Sequence, residues 1–262
     1  AGLTAGWLQW GPSAPPPPVE AMRRASYTVD AVPPLSNDAA IEAAHVEGWN
    51  LLRDGRGAEA AAVLARIPDR PPGKDGREDG ALHLLQASAG ALTGDPDAYR
   101  HIELAAKAAG TRRGAIPSLA RLAADSVAGT ATSRDVERHF AAHPDDLLGR
   151  ILLASLEGHD GDGRLALAEQ LTEQDPKMAL GWVLRAQLTL NRGQLAAAND
   201  LITRASAVTP DHAELVALRA RLELLEGHTS DARRLADTLG TAAQMPTSAV
   251  QVHATALRML QD

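Results

Sequence analysis

Two pairs of chain breakers recur at one distance. Pro176 and Pro210 lie 34 residues apart, as do Gly193 and Gly227, and both pairs keep the same phase. A fixed period of this size is the mark of stacked supersecondary units, none of which can bury its apolar face alone. Within residues 179–212, Trp182 stands at place 4, Ala186 at 8, Gly193 at 15, Ala198 at 20, Ile202 at 24, Ala205 at 27 and Pro210 at 32. The physics of the pattern is direct. Ala186 and Ala198 let two antiparallel helices approach closely, Gly193 supplies a left-handed turn between them, and Pro210 stops the second helix.

Other stretches repeat the pattern with less fidelity. Residues 41–68 place Gly48 at 8, Leu51 at 11, Gly55 at 15, Ala60 at 20 and Leu64 at 24. Residues 213–240 repeat it with Ala220, Gly227 and Ala232. Residues 145–176 are two short, with Arg164 at the place of the small residue, and residues 80–110 put Tyr99 there. Residues 115–143 carry Pro117 near a helix start, apolar Leu119 and Leu122, and a break at Gly129-Thr130; Thr132 with Asp135 resembles a capping box. A last amphipathic helix is expected over 247–260, covering the exposed end. Composition agrees with helix against helix: Ala makes up about a fifth of the chain, far above ordinary usage, whereas aromatics are only 3%.

These residues resemble the tetratricopeptide repeat family over 38–240. The resemblance implies an all-α, right-handed superhelical solenoid of about six helical hairpins with a C-terminal capping helix. The expected organisation is an extended Pro-rich arm over 1–37, hairpins over 38–110, a degenerate hairpin over 111–144, and hairpins with the cap over 145–262. Residues 71–80 (PPGKDGREDG) are the one long, charged interruption, and the stack could bend or split near Gly73 to Asp79. In that family, places 2, 5, 6, 9, 12 and 13 of each first helix line a concave, partner-binding surface. Here the resemblance puts His45, Trp49, Leu52 and Arg53 on it from the first unit, with Val183, Gln187 and Asn191 from the best unit and Arg221 from the next. Arg150 joins them from the shortened unit, and Trp49 is the most anchor-like. Family members that clamp a C-terminal carboxylate use Lys and Asn, but Lys occurs only at 74, 107 and 177, so that mode is not expected.

The start of the chain reads differently. The small, apolar stretch from Ala1 through Trp10 is too short to cross a bilayer, which takes about 20 residues. It reads either as the tail of a membrane span, with Trp7 and Trp10 at interface depth, or as the end left by signal-peptide removal; a cytosolic origin stays open. GPSAPPPP (residues 11–18) is a semi-rigid spacer, and its PxxP spacing also fits an aromatic groove.

Chemistry finds little purchase. Zero Cys excludes disulfides, thiolate metal sites and cysteine nucleophiles, and a net charge of −7 lacks the basic footprint of a nucleic-acid binder. His139 and His143 share one helix face at a metal-ligand spacing, but the Glu of HExxH is missing and exposed helix-end histidines are expected. Residues 158–169 match part of a calcium loop, with Gly158 where Asp is required. No nucleophile-elbow, P-loop or dinucleotide motif occurs. The expectation is a non-catalytic interaction module without cofactor or metal, tethered through its N-terminus in a periplasmic or extracytoplasmic setting, that captures a peptide or helix of a protein partner. The alternative is a structural subunit of an envelope assembly, bound through the arm and the outer face.

Overall fold

The computed structural model describes residues 39–67, 77–156, 161–209 and 212–239, with 254, 255 and 259. Among them there is no strand. Twelve helices follow one another as six antiparallel pairs: α1 (Ala39–Arg53) with α2 (Gly57–Leu64), α3 (Arg77–Thr93) with α4 (Asp97–Ala109), and α5 (Ala115–Val127) with α6 (Ser133–Ala142). They continue as α7 (Leu147–Ser155) with α8 (Gly161–Gln174), α9 (Ala179–Asn191) with α10 (Leu195–Val208), and α11 (Ala213–Leu225) with α12 (Thr229–Asp237). Consecutive helices pack on one another at every step but α6 to α7, which makes a helical solenoid. The arm over 1–37 and most of the expected last helix lie outside the described residues. Among the described residues, no helix is long and apolar enough to cross a membrane.

The turn chemistry matches the spacing. Gly55, Gly94, Gly129, Gly193 and Gly227, each joining the two helices of a pair, hold φ between +70° and +85°, a region where any Cβ is strained. The alanines that follow them, Ala60, Ala198 and Ala232, are fully buried where second helices meet first ones. Two expectations at this small site need correction. In the second pair it is Ala98 that is buried, facing Gly90, where a Cβ would lie 3.0 Å from the Ala98 Cβ; Tyr99 is exposed. The path from turn glycine to buried alanine is one residue shorter there, which rotates Tyr99 outward. In the fourth pair Arg164 is no misfit, because its Nε donates to the Ala154 carbonyl at 2.9 Å and its Nη2 lies 3.4 Å from that of Ser155. It caps orphan carbonyls at the end of α7, and Ala168 supplies the buried small residue four positions on.

The described hairpins on either side of the interruption at 71–80 share one core. One apolar core runs from Trp49 through Leu64, Leu84, Leu119 and Leu152 to Leu188. It is also wound tightly. Helix α3 packs on α7 across the intervening pair, and α1 packs on α9. The end of α1 is held there by Arg53 Nη2 to Asp175 Oδ2 at 2.6 Å and by a hydrogen bond between His212 Nε2 and the Asp54 carbonyl. A Cβ on Gly55 would sit 3.6 Å from the Leu180 Cα, so the backbones nearly touch. Beyond this closure, a second core of Val183, Ala198, Ile202, Leu215 and Leu222 carries the last two pairs.

Candidate functional site

Closure of the winding decides where the expected lining residues lie. Helix α1 packs on α2, α3 and α9, and its inward face carries His45 (2% exposed), Trp49 (3%) and Leu52 (0%). These three, with Arg150 and Val183, are interior in the folded chain, so they pack helices together instead of lining an open channel. Arg53 is spent on Asp175. At the other end of the stack Gln187 and Asn191 are exposed, Arg221 is half-buried, and Leu225 keeps 53% of its surface in solvent. Among the described residues, what stays open of the expected lining on α9 and α11 is therefore these few positions, whereas Leu184, Leu190 and Leu218 between them are buried. On its outward side, α1 also borders an open depression of about 720 Å³ lined by residues including Val46, Glu47, Asn50 and Leu51.

The most elaborate polar cluster joins α5, α6 and α7. His139 is the one buried residue of α6. Its Nδ1 lies 3.0 Å from Ser118 Oγ, and its Nε2 lies 2.7 Å from Asp146 Oδ2. Asp146 Oδ1 accepts from the Gly149 N–H at 3.0 Å, so the same carboxylate N-caps α7. Residue 149 must be small for this, since a Cβ there would lie 2.6 Å from Asp146 Oδ2. Arg150 closes the cluster. Its Nη1 donates to the Asp146 carbonyl at 3.1 Å, its Nε donates to Gln170 Oε1 at 3.2 Å, and its guanidinium lies over the Phe140 ring at 4.5 Å. Burial pushes the Arg150 guanidinium below its usual pKa, against the pull of the Asp146 and Asp145 carboxylates.

Ser118, His139 and Asp146 stand in the order used for acyl transfer. With Asp146 as a carboxylate, the Nε2–H of His139 donates to it and Nδ1 is left to accept from the Ser118 hydroxyl. Two features argue for a clamp instead of a nucleophile. The His139 and Asp146 side chains are 2% and 4% exposed, and the Ser118 N–H is bound inside α5 to the Gly114 carbonyl at 3.0 Å, so it cannot help bind an oxyanion. The expectation of exposed helix-end histidines is thus corrected for His139. Both its nitrogens are engaged inside the protein, by Ser118 and Asp146, and the His143 ring lies close, ring centroids 5.2 Å apart. The signal for this cluster was in the sequence: Asp146 follows Pro144 and precedes an apolar run, which is an N-cap pattern.

Of the calcium-loop spacing, residues 161–169 are helix and not loop. Residues 157–160 lie outside the described residues, but from Gly161 the segment is helix α8. Asp162 and Glu169 pair with Arg192 and Arg185. At the α11–α12 turn, Glu223, Glu226 and His228 converge, with His228 Nδ1 2.9 Å from Glu223 Oε2. That hydrogen bond raises the His228 pKa, and Arg219 Nε lies 3.4 Å from the other Glu223 oxygen. No protein-family model matches the chain, and neither a curated protein nor a solved structure matches it.

Proposed function

We propose that the chain is a non-catalytic protein–protein interaction scaffold of the tetratricopeptide kind, whose partner docks on the inner surface of the last two hairpins. The observation that carries this reading is the uncovered strip over α9 and α11, where Gln187, Asn191 and Arg221 stand beside exposed Leu225. A strip that mixes apolar contact with a few oriented polar groups suits an amphipathic helix or an extended peptide. The solenoid architecture and the clamp-like use of Ser118, His139 and Asp146 support a binding role over catalysis. In this proposal the Pro-rich segment tethers the scaffold in a periplasmic or extracytoplasmic setting, where it helps assemble an envelope complex.

A partner recovered by crosslinking from the native cell, then purified, provides the test. Gln187→Ala with Arg221→Ala and Leu225→Ala should leave helicity intact and weaken that partner's binding about thirtyfold, the equivalent of roughly 2 kcal/mol. Unchanged affinity would remove the inner-surface reading. A second reading is favoured by the closed inner face of the first hairpin: a structural subunit held through the arm and the outer side of α1, next to Val46 and Leu51. Loss of binding on replacing residues 19–35 by Gly/Ser, with the triple variant unaffected, selects it.

A further inference from the structure

Helices α3 and α4 face each other with two imidazoles that no part of the scaffold reading uses. His83 Nδ1 and His101 Nδ1 are 3.2 Å apart, the rings 5.4 Å between centroids and tilted by 31°. At that separation only one of the two nitrogens carries a proton, which it donates to the other ring's lone pair; a metal ion that displaces that proton is held by both lone pairs at once. The span suits a metal. Two imidazoles bound to one tetrahedral zinc at about 2.0–2.1 Å place their nitrogens about 3.3 Å apart.

A third donor is in position. Gln86 Oε1 lies 3.1 Å from His83 Nδ1, one helical turn along α3. Its orientation is set from outside, because Gln86 Nε2 donates to the Leu64 carbonyl at the end of α2, 3.4 Å away, which turns the amide oxygen toward the histidines. All three side chains are half-buried, so a cation and a completing water have access. The supporting helices are fixed by close packing, with Ala98 of α4 seated against Gly90 of α3. We infer that His83, His101 and Gln86 form a binding site for a divalent transition-metal cation of the zinc type. The bound ion would tie α4 to α3 and, through the Gln86 amide, to the end of α2. The site is separate from the proposed docking strip and does not depend on it.

Zinc(II) titrated calorimetrically into the metal-free full chain should bind at one equivalent with a Kd of about 1–10 μM. In the unmodified protein, the ring resonances of His83 and His101 should shift together with that single equivalent. His83→Ala and His101→Ala should each weaken binding about thirtyfold or more, and Gln86→Ala about tenfold. His228→Ala should change nothing, which separates this site from the Glu223, Glu226 and His228 cluster. Zinc at tenfold excess over Kd should also raise the melting midpoint of the unmodified chain and not of the histidine variants. A Kd weaker than about 1 mM, binding that survives both histidine substitutions, or binding lost on His228→Ala overturns the assignment.

Discussion

The first four hairpins and the last two are built from the same unit but end in different environments. In the first part the winding brings α3 onto α7 and α1 onto α9, so first-helix faces meet one another and one core runs through them. In the last part, α11 has α9 on one side and no comparable closure, and its small core is separate. Equivalent places in the repeat therefore do opposite work. Trp49 is interior, whereas Gln187, at the corresponding place, is exposed. A repeat pattern specifies which face of a helix looks inward; how tightly the stack winds decides whether that face meets protein or water.

The sharpest way to break this comparison is at the polar clamp of the closed part. Asp146→Ala removes both the α7 cap and the buried acceptor of the His139 Nε2–H, and should cost about 2–4 kcal/mol in a denaturant melt. A loss under about 1 kcal/mol would mean that α6 is held by its apolar contacts instead. Next in size is overpacking at the small site. Ala60→Leu and Ala198→Leu should each destabilise by about 1–3 kcal/mol, since both alanines are fully buried. Hydrogen exchange should separate them: Ala198→Leu is expected to speed exchange over α9–α12 and leave α1–α8 protected, whereas Ala60→Leu should loosen the closed part as one unit. Uniform acceleration in both would show that the two cores unfold together.

The contact that holds α1 against the α8–α9 turn should contribute less. A double-mutant cycle on Arg53→Ala and Asp175→Ala is expected to give a coupling of about 0.5–1 kcal/mol, because the pair is only partly screened from water. Zero coupling would leave closure to packing alone. The smallest effect is at the open end. His228 takes a raised pKa from the Glu223 acceptor, so its contribution is present below the unfolded value near 6.5 and fades as pH rises through the folded value. Histidine NMR should find its titration above that of an unfolded peptide, and Glu223→Gln should return it.

Much of the fold was legible because its determinants are local. Gly55, Gly94, Gly193 and Gly227 mark turns by a backbone conformation that other residues resist, and Pro176 and Pro210 fall between successive pairs. Thr132 and Asp135 also behave as read: the Asp135 carboxylate accepts from the Thr132 N–H at 3.0 Å and from its hydroxyl at 2.6 Å. Where the reading slipped, a local deviation was cancelled by something nearby. One residue fewer between Gly94 and Ala98 turned Tyr99 outward, and the length of Arg164 let it reach the α7 carbonyls.

The candidate site was less legible, for a different reason. His139 meets Ser118 from 21 positions away, Arg53 meets Asp175 from 122, and His212 meets Asp54 from 158. No spacing in the chain announces such pairs, because they depend on the sum of small rotations from hairpin to hairpin. The sequence by itself determined the all-helical class, the count of hairpins, the turn positions and the small residues on which helices meet, since each follows from backbone sterics and side-chain volume within one period. Only the tertiary structure decided that the first hairpin closes onto the fifth, which turned Trp49 from a surface anchor into core and left Gln187, Asn191 and Leu225 in solvent. The physical reason is cumulative: the rotation from one hairpin to the next is invisible in any one unit, yet over four units it brings α1 against α9.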